Sequence, residues 1–307
     1  MTAYLIRRTL FAVFVLWGAV TIVFLVLRLV PGDPALLILG SDATPVEIAE
    51  LREQMGLNQP LLVQYGIYLA DVARFDFGDS YRYQADAMGL VLDRFPLTLQ
   101  LAVVAMVIGM VLGIALGVVG ALRVNRLADR IVSVFALLAQ SMPSFWIGIM
   151  FILVFARQLH IFASGGHGGL DKLIMPGVTL ALPLIAIQIR LTRSGLLDVV
   201  HENYIQTARA KGLSERVVIF LHAIRNAIIP IVTVAGLEFG KLLGGAVIVE
   251  TVFSWPGVGR LLIDSISARD YNVVQASILL IAGGFVLINL VVDVLYGYLD
   301  PRIRLGR

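Results

Sequence analysis

Two residues of opposite charge, Glu238 and Lys241, lie three residues apart inside the hydrophobic stretch 226–249. Residues at this spacing share one face of a helix, so the two side chains could form an ion pair. Ionisable groups are costly inside a membrane, and each one is a candidate for a polar pathway. We therefore expect either a structural ion pair or part of a translocation path, for which Gln140 and Asn289 are weaker candidates.

The sequence contains none of the common patterns that carry catalytic chemistry. The Gly240-Lys241 dipeptide lacks both the earlier glycine and the following Ser or Thr of a nucleotide-binding loop, and neither His-Glu-x-x-His nor Gly-x-Ser-x-Gly occurs. There is no cysteine, and metal-ligand spacing is missing from the four histidines, His160, His167, His201 and His222. The sequence therefore predicts a protein that moves a solute, holds no cofactor or metal, and has no energy source of its own.

The composition indicates a membrane protein. Of the 307 residues, 59% are hydrophobic and only 15% are charged, and the mean hydropathy is +0.89, whereas about a quarter of a soluble domain is charged. The net charge is +3. Because the positive residues flank hydrophobic stretches, they are interpreted as signals of membrane topology, and no nucleic-acid partner is expected.

Six hydrophobic stretches are long enough to cross about 30 Å of hydrocarbon at about 1.5 Å per residue. They cover residues 9–30, 97–121, 131–156, 173–189, 226–249 and 273–292. A cleaved signal peptide is an alternative for the first stretch. However, no small-residue cleavage site follows it, and it is longer than the apolar region of such peptides, which favours a retained anchor. The expected fold is all-α with six transmembrane helices.

Basic residues are concentrated on alternate connections between these stretches. They lie at the N-terminus, in the second and fourth connections and in the C-terminal tail, as Arg7, Arg8, Arg123, Arg126, Arg130, Arg190, Arg193, Arg209, Lys211, Arg216, Arg225, Arg302, Arg304 and Arg307. Because cytoplasmic loops carry an excess of Lys and Arg, we expect both termini to be cytoplasmic. An odd number of spans would break this pattern.

The connection 31–96 has the signals of a small helical domain on the opposite side of the membrane. TPVEIAELREQMG opens with a capping box formed by Thr44 and Glu47, and Gly56 is placed to end that helix. A second amphipathic segment covers 61–75. We interpret the domain as a cap on the membrane part, with a docking surface for a soluble partner as the alternative.

Glycines recur at four-residue intervals in two of the hydrophobic stretches. Such spacing lets another helix backbone approach closely. One set is Gly109, Gly113 and Gly117, and the other is Gly236, Gly240 and Gly244. For each set, the partner helix could belong to the same chain or to a second membrane subunit.

The polar segment YIQTARAKGLSERVVIFLHAIRNAIIP spans 204–230 and separates two hydrophobic stretches. Asn203 is placed to cap a helix of about two turns, Gly212 to end it, and Ser214 to cap the next helix. We expect a short cytoplasmic helix whose small and basic residues suit insertion into a groove on a partner. An interfacial helix that binds only lipid is the alternative.

This segment resembles the EAA loop of the permease subunits of bacterial ABC importers, in the form found in the dipeptide, oligopeptide and nickel branch. Ala208 and Gly212 match the second alanine and the glycine of that motif, while Gln206 and Thr207 stand where the motif has Glu and Ala. Three more segments are similar to the family, namely FDFGDSYR (75–82), RFPLTLQL (94–101) and ETVFSWPGVGRLLIDSISARDYNVVQA (250–276). Because the connection after the first stretch is long, the chain is most similar to the first permease of a pair.

The resemblance implies a type I ABC importer permease fold (MetI-like) in a bacterial inner membrane. It implies a second permease subunit, two cytoplasmic ATPase subunits that bind ATP and Mg²⁺, and an extracytoplasmic solute-binding protein. The chain itself would hydrolyse nothing. The residues implied in coupling to an ATPase subunit are Tyr204, Thr207, Ala208, Arg209, Ala210, Lys211, Gly212 and Leu213.

These inferences divide the chain into four parts. An N-terminal anchor (1–30) precedes the extracytoplasmic domain (31–96), and a permease core of five spans (97–298) contains a cytoplasmic coupling loop (194–225) and precedes a cytoplasmic tail (299–307). The implied solutes are short peptides, with nickel, glutathione or haem-like compounds as alternatives. A secondary transporter is a more distant alternative, which would require inverted repeats and an ion site at mid-membrane. A membrane enzyme is disfavoured by the missing catalytic residues.

Overall fold

A computed structural model describes residues 2–29, 34–39, 43–54 and 56–299 of the chain. Within these residues the chain forms thirteen α-helices and no β-strand. The helices are α1 (Thr2–Leu29), α2 (Pro34–Leu39), α3 (Pro45–Gln54), α4 (Leu61–Arg74), α5 (Ala87–Leu122), α6 (Leu127–Ser141), α7 (Ser144–Phe151), α8 (Leu170–Val200), α9 (Asn203–Ala210), α10 (Glu215–Val217), α11 (Ile224–Val252), α12 (Val258–Ser267) and α13 (Tyr271–Leu299). Two π-helical segments continue α7 and α10, over Ile152–Gln158 and Val218–Ala223. The all-helical prediction is confirmed.

Five of the described helices, α1, α5, α8, α11 and α13, are long and apolar enough to cross a membrane. A sixth span exists only if the bent pair α6 and α7 is counted as one. Four of the predicted stretches lie wholly inside single long helices. The stretch 9–30 lies inside α1 up to residue 29, and residue 30 is outside the described residues. Because helices continue beyond the hydrocarbon, α5 begins ten residues before the predicted start of its stretch, and Pro96 lies inside it.

The predicted stretch 131–156 is not one continuous helix. The chain forms α6 and α7 there, and their axes differ in direction by 106°. Pro143 occupies the N-cap position of α7, and Met142 before it is extended, with φ −84° and ψ 131°. Proline has no N–H and disfavours helical geometry in the residue before it, so the helix ends at this point.

The stretch 173–189, the shortest of the six, belongs to the most buried of the apolar helices. Its helix, α8, extends over 31 residues and includes the polar residues that flank the apolar stretch at both ends. In α8, 67% of the most apolar window is buried, compared with 17% to 33% in the other four. Its prolines Pro176 and Pro183 lie within the helix, as neighbouring helices in membrane proteins permit.

The chain divides into two compact units, each formed from two segments. One unit comprises Met1–Leu97 and Pro256–Leu287, and the other comprises Thr98–Trp255 and Ile288–Arg307. We call them the first and the second unit. This division differs from the predicted four parts, which follow the order of the chain.

The first unit brings together two motifs that lie about 190 residues apart in the sequence. The Ser80 hydroxyl donates to the buried carboxylate of Asp270 at 2.5 Å, and Asn272 donates to the Asp79 carbonyl at 2.8 Å. A hydrophobic cluster that includes Phe77 and Val273 lies beside these contacts. The segments FDFGDSYR and ISARDYN, both part of the resemblance, therefore form one structure.

The predicted helix start at Thr44 is confirmed. The Thr44 N–H donates to Glu47 Oε2 at 2.8 Å, the Glu47 N–H donates to the Thr44 hydroxyl at 3.3 Å, and α3 begins at Pro45. Hydrogen bonds to the carboxylate from the Thr44 N–H, which contributes most, and from the Thr44 hydroxyl, at 2.8 Å, lower the pKa of Glu47 from its ordinary value of 4.5. Gly56 adopts φ +65° just after the helix, as expected of a terminating glycine.

We expect α3 to lose its cap in acid. A carboxyl group whose pKa is lowered by folding contributes stability above its unfolded pKa, and this contribution is lost as the pH falls through the folded value. Amide exchange of residues 48–54, corrected for intrinsic rates, should therefore quicken below pH 4.5, the ordinary pKa of this carboxyl group. The Glu47→Gln variant should lack this pH step. A step of equal size in that variant would contradict the assignment.

The second unit is built on close contact between α5 and α8. Three glycines of α5 face this contact, and a Cβ atom built on each would come within 3 Å of an atom of α8. Gly109 faces Leu184, Gly113 faces Gln188 and Gly117 faces Thr192. For this set of glycines, the close partner is a helix of the same chain. Gly236 of the other set would contact Val292 of α13, whereas Gly244 has open space around it.

Candidate coupling segment and polar residues of the membrane core

The segment 203–213 contains a short helix with one buried face. Ile205 is fully buried in α9, and Ala208 is 7% exposed. Residues three apart share a helix face, and this face packs into a hydrophobic cluster formed by α5, α8, the π-helical segment and α11, through Val118, Leu196, Val218, Ala223 and Ala227. Seven of the eight residues predicted to contact a partner are exposed, and Ala208 is the one that packs inward.

The helix ends as the sequence predicts, at Gly212. This glycine adopts φ +77°, its N–H donates to the Arg209 carbonyl at 2.9 Å, and the Leu213 N–H donates to the Ala208 carbonyl at 3.4 Å. This pair of hydrogen bonds is the Schellman motif, in which glycine takes the left-handed position. The direction of the chain after α9 is therefore fixed by one residue that can adopt this backbone conformation at low cost.

One of the two predicted N-cap positions is confirmed and the other is wrong by one residue. Glu202 occupies the N-cap position of α9, one residue before the predicted Asn203. Ser214 does occupy the N-cap position of α10, but its side chain makes no capping hydrogen bond. Such one-residue shifts are common at helix ends, because the cap depends on local dihedral angles that propensities do not resolve.

Two side-chain contacts connect α9 to the rest of the segment. Arg209 Nε lies 2.7 Å from Glu215 Oε1 across the Gly212 turn, and Asn226 Nδ2 donates to the Tyr204 hydroxyl at 2.8 Å. The first pair is exposed and contributes little free energy, about 0–1 kcal/mol. The second contact joins α9 to the first turn of α11. Together with the buried face, it holds α9 between the end of α8 and the start of α11.

A buried ion pair near the ends of α6 and α8 was not predicted from the sequence. Arg193 Nε and Nη2 donate to the two carboxylate oxygens of Asp129 at 2.7 Å and 2.9 Å, and the Asn125 N–H adds a third hydrogen bond at 3.0 Å. The Asp129 side chain is 6% exposed and the Arg193 side chain 30%. In the sequence Arg193 is one of many basic residues. The only signal of an ion pair was Asp129, the single acidic residue among the basic residues of the second connection.

We expect the Asp129→Asn variant to destabilise the chain by about 2–3 kcal/mol. The estimate lies below the roughly 3–5 kcal/mol for breaking a fully buried pair, because Arg193 keeps some contact with solvent. Thermal unfolding of the purified full-length chain in detergent measures the change. Asp198→Asn is the matched control, since Asp198 lies on the exposed face of α8, the helix that carries Arg193. Equal melting temperatures for the two variants would contradict the prediction.

The four predicted pathway residues are only partly brought together. Lys241 Nζ lies 2.6 Å from Glu238 Oε1, and the side chains are 65% and 15% exposed. The predicted ion pair of α11 is therefore confirmed. Gln140 lies on an exposed face of α6 and Asn289 is half-buried on α13. A role for any of the four in a pathway stays a prediction.

More deeply buried polar groups of the second unit were missed by sequence reasoning. The Thr98 hydroxyl donates to Glu250 Oε1 at 2.6 Å, and both side chains are buried. Gln188 is fully buried, with its Nε2 3.4 Å from the Ile231 carbonyl. Glu250 lies one residue beyond the stretch 226–249, and Gln188 lies near the end of the shortest stretch, 173–189, so neither stood out. Among the described residues, no group of three or more His, Cys, Asp or Glu side chains could hold a metal ion.

The described part of the chain combines an all-helical core, a short helix with one exposed face and buried polar contacts between long apolar helices. The model of the family described as "Binding-protein-dependent transport system inner membrane component" matches residues 109–305, and that of its N-terminal part matches residues 1–102. The chain belongs to this family and is a permease subunit of an ABC importer.

Two relatives match the chain over almost its whole length. It is 41% identical to the dipeptide transport system permease protein DppB of Alkalihalophilus pseudofirmus, covering 99% of this chain and 100% of the relative. It is 43% identical to the glutathione transport system permease protein GsiC of Escherichia coli K12, covering 99% of both chains. The predicted family is therefore confirmed.

Two solved structures support the fold. A chain of an amino acid ABC transporter superposes with a TM-score of 0.53 at 19% identity, covering 70% of this chain and 94% of that one. A chain of the MetNI methionine ABC transporter, in an inward-facing crystal form, superposes with a TM-score of 0.55 at 19% identity, covering 69% and 97%. At this identity the likeness establishes only the fold.

Proposed function

We propose that the chain is one of two permease subunits that form the translocation path of an importer for short peptides. The observation that carries the proposal is the geometry of α9. One face of this helix is buried against α5, α8 and α11, whereas Thr207, Arg209 and Lys211 are exposed. When a partner displaces a helix anchored in this way, the contacts on its buried face transmit the displacement to the membrane helices.

In this proposal, α9 is the coupling helix and inserts into a cleft on a cytoplasmic ATPase subunit. Tyr204, Thr207, Arg209, Ala210, Lys211, Gly212 and Leu213 form the contact, and Ala208 positions the helix through its inward packing. ATP and Mg²⁺ bind to the ATPase subunits, so this chain contributes no hydrolytic group. Closure of the ATPase pair moves α9, and the helices that hold it rock between two openings of the path.

The proposed topology places both termini, α9 and the connection 123–126 in the cytoplasm. It requires α6 and α7 to cross the membrane together as one bent span, which gives six spans. The basic residues of the alternate connections support this orientation, since cytoplasmic loops carry an excess of Lys and Arg. The connection 31–96 then forms an extracytoplasmic domain that is available to a solute-binding protein.

The proposed solutes are dipeptides and other short peptides, with glutathione, itself a short peptide, as the second candidate. The relatives named for dipeptide and glutathione transport are almost equally similar to this chain, at 41% and 43% identity. They favour peptide-like solutes over nickel or haem-like compounds. Uptake of a labelled dipeptide and of labelled glutathione, each competed by the other, separates the two candidates.

One experiment tests the coupling role and the topology together. The chain contains no cysteine, so a cysteine introduced as Ala210→Cys is unique. We expect a membrane-impermeant thiol reagent to label it only in inside-out vesicles, and co-production of the ATPase subunits to protect it. Leu62→Cys, on the exposed surface of α4, is the control and should be labelled only from outside. Labelling of residue 210 from outside would overturn both proposals.

A second experiment tests the dependence on ATP. Uptake into cells that produce the whole transporter should disappear when the ATPase subunits are deleted. A secondary transporter would instead continue to work without them, driven by an ion gradient. Persisting uptake in the deletion strain would therefore contradict the importer mechanism.

A further inference from the structure

The first unit contains an apolar groove of about 610 Å³ between α1 and the segment that joins α12 to α13. On α1 it is lined by Ala19, Ile22, Val23 and Val26, at spacings that place all four on one helix face. Pockets of roughly 300–1,000 Å³ hold small-molecule ligands in proteins. The groove is therefore large enough for a ligand, and its wall on this side is entirely apolar.

The opposite wall begins with charged and aromatic side chains and continues with apolar ones. Arg269 lies in the connection before α13, Tyr271 is the first residue of α13, and Val274 and Ile278 follow on the same face of the helix. Among the described residues that line the groove, Arg269 alone carries a charge. The groove thus has a basic and aromatic end followed by an apolar length, which matches a molecule with an anionic head and a hydrocarbon tail.

Arg269 is available to such a head. Its backbone adopts φ +57° at the end of α12, and its side chain is exposed. Within the described parts of the chain, its guanidinium makes no ion pair, while Asp264 lies 3.8 Å from Arg260 and Asp270 accepts a hydrogen bond from Ser80. Arginine is suited to phosphate, since its planar fork can donate two parallel hydrogen bonds.

We propose that this groove is a binding site for one acidic phospholipid, with the phosphate at Arg269 and an acyl chain along α1 and α13. Both walls belong to helices that are apolar and long enough to span the bilayer, so acyl chains are the surrounding medium. Tyrosine is enriched at the level of lipid headgroups, which is where Tyr271 places the mouth of the groove. Basic pockets beside transmembrane helices are known to select anionic headgroups.

The groove lies in one half of the bilayer. Its α1 residues, 19–27, belong to the C-terminal half of α1, and its α13 residues belong to the first two turns of that helix. The C-terminal end of α1 and the N-terminal end of α13 lie on the side of the membrane opposite to the N-terminus of the chain. With the proposed topology, the lipid would come from the outer leaflet, while the assignment of the groove itself does not depend on that topology.

Photolabelling of the full-length chain in liposomes tests the proposal. The probe is phosphatidylglycerol with a diazirine on one acyl chain, diluted into phosphatidylcholine. We expect labelling of the groove peptides, 19–27 and 274–278, to saturate at a low mole fraction of probe. Labelling of other apolar surfaces should rise in proportion to that fraction. A phosphatidylcholine probe should show no saturation.

Two pairs of variants make the result specific. Val26→Trp should fill the groove and reduce the saturable labelling at least fivefold, whereas Val13→Trp, on a similarly exposed valine of α1 outside the groove, should not change it. Arg269→Gln should remove the preference for phosphatidylglycerol, whereas Arg74→Gln, an exposed arginine of the same unit, should keep it.

Several outcomes would overturn the proposal. One is labelling that rises linearly at the groove peptides of the unmodified chain. Another is equal labelling by the two probes. A third is a crosslink from a unique cysteine at residue 26, which lines the groove and is 52% exposed, to the second permease in the assembled transporter, because a protein helix would then fill the groove in place of lipid.

Discussion

Replacing Gly212 with valine is expected to reduce ATP-dependent uptake about 5- to 30-fold. Gly212 adopts φ +77° at the end of α9, and a non-glycine residue in left-handed geometry costs roughly 1–2 kcal/mol. A cost of this size corresponds to a factor of about 5–30 in a conformational population. Since this position sets the direction of the chain after the proposed coupling helix, the population that can dock on an ATPase subunit should fall by the same factor.

The reason for this loss can be separated from simple crowding. A Cβ atom at position 212 would meet nothing within 4 Å inside the chain, so the cost within the chain is conformational. Asparagine tolerates left-handed geometry better than alanine or valine. If the backbone is the cause, uptake should decrease in the order glycine, asparagine, alanine, valine. If contact with the ATPase subunit leaves no space for a side chain, alanine should instead be better than asparagine.

Two measurements on the same variants complete this test. The amount of chain in the membrane should be equal for all four residues at position 212, because the turn is exposed and outside the hydrophobic clusters. The fraction of ATPase subunits that co-purify should decrease in the same order as uptake. Normal uptake by the valine variant would show that the direction of the chain after α9 does not matter for transport.

The features that could be predicted from the sequence are those that depend on local chemistry. The capping box at Thr44 and the helix end at Gly212 follow from hydrogen bonds within a few residues, and both are present. The apolar helices follow from length and hydropathy. The coupling segment was located by its polarity between two hydrophobic stretches and by its resemblance to a known motif.

The features that could not be predicted depend on contacts between distant parts of the chain. The hydrogen bond between Ser80 and Asp270, and that between Thr98 and Glu250, join residues more than 150 positions apart. The shortest predicted stretch, 173–189, also lies in α8, which is the most buried of the apolar helices. A helix surrounded by protein can carry polar residues such as Gln188, because neighbouring helices replace lipid around it.

The bend between α6 and α7 shows a different limit. Proline inside a long hydrophobic stretch is compatible with a continuous helix, as Pro176 and Pro183 in α8 demonstrate. At Pro143 the same residue type separates two helices by 106°. Which outcome occurs depends on whether neighbouring groups donate hydrogen bonds to the carbonyls that proline leaves unpaired, and a single sequence contains no information about those neighbours.

Replacing Gly113 with alanine is expected to destabilise the chain by about 1–3 kcal/mol, the usual cost of overpacking a core. The added Cβ atom would lie 2.4 Å from Gln188 Cβ and 3.2 Å from the Ile185 carbonyl oxygen. Neither atom can move without shifting the backbone of α8. Thermal unfolding of the full-length chain in detergent, followed by size-exclusion chromatography with fluorescence detection, should show a lower melting temperature.

The other glycines of the two sets provide graded controls for this prediction. Gly117→Ala should cost a similar amount, because its Cβ would meet the Ile189 carbonyl oxygen at 2.9 Å, whereas Gly109→Ala should cost less, because its nearest neighbours belong to the flexible side chain of Leu184. Gly244→Ala adds a methyl group where nothing lies within 4 Å. It should raise stability by up to about 1 kcal/mol through helix propensity. Four variants with equal melting temperatures would mean that α5 and α8 are not in close contact, and the second unit would then need a different packing.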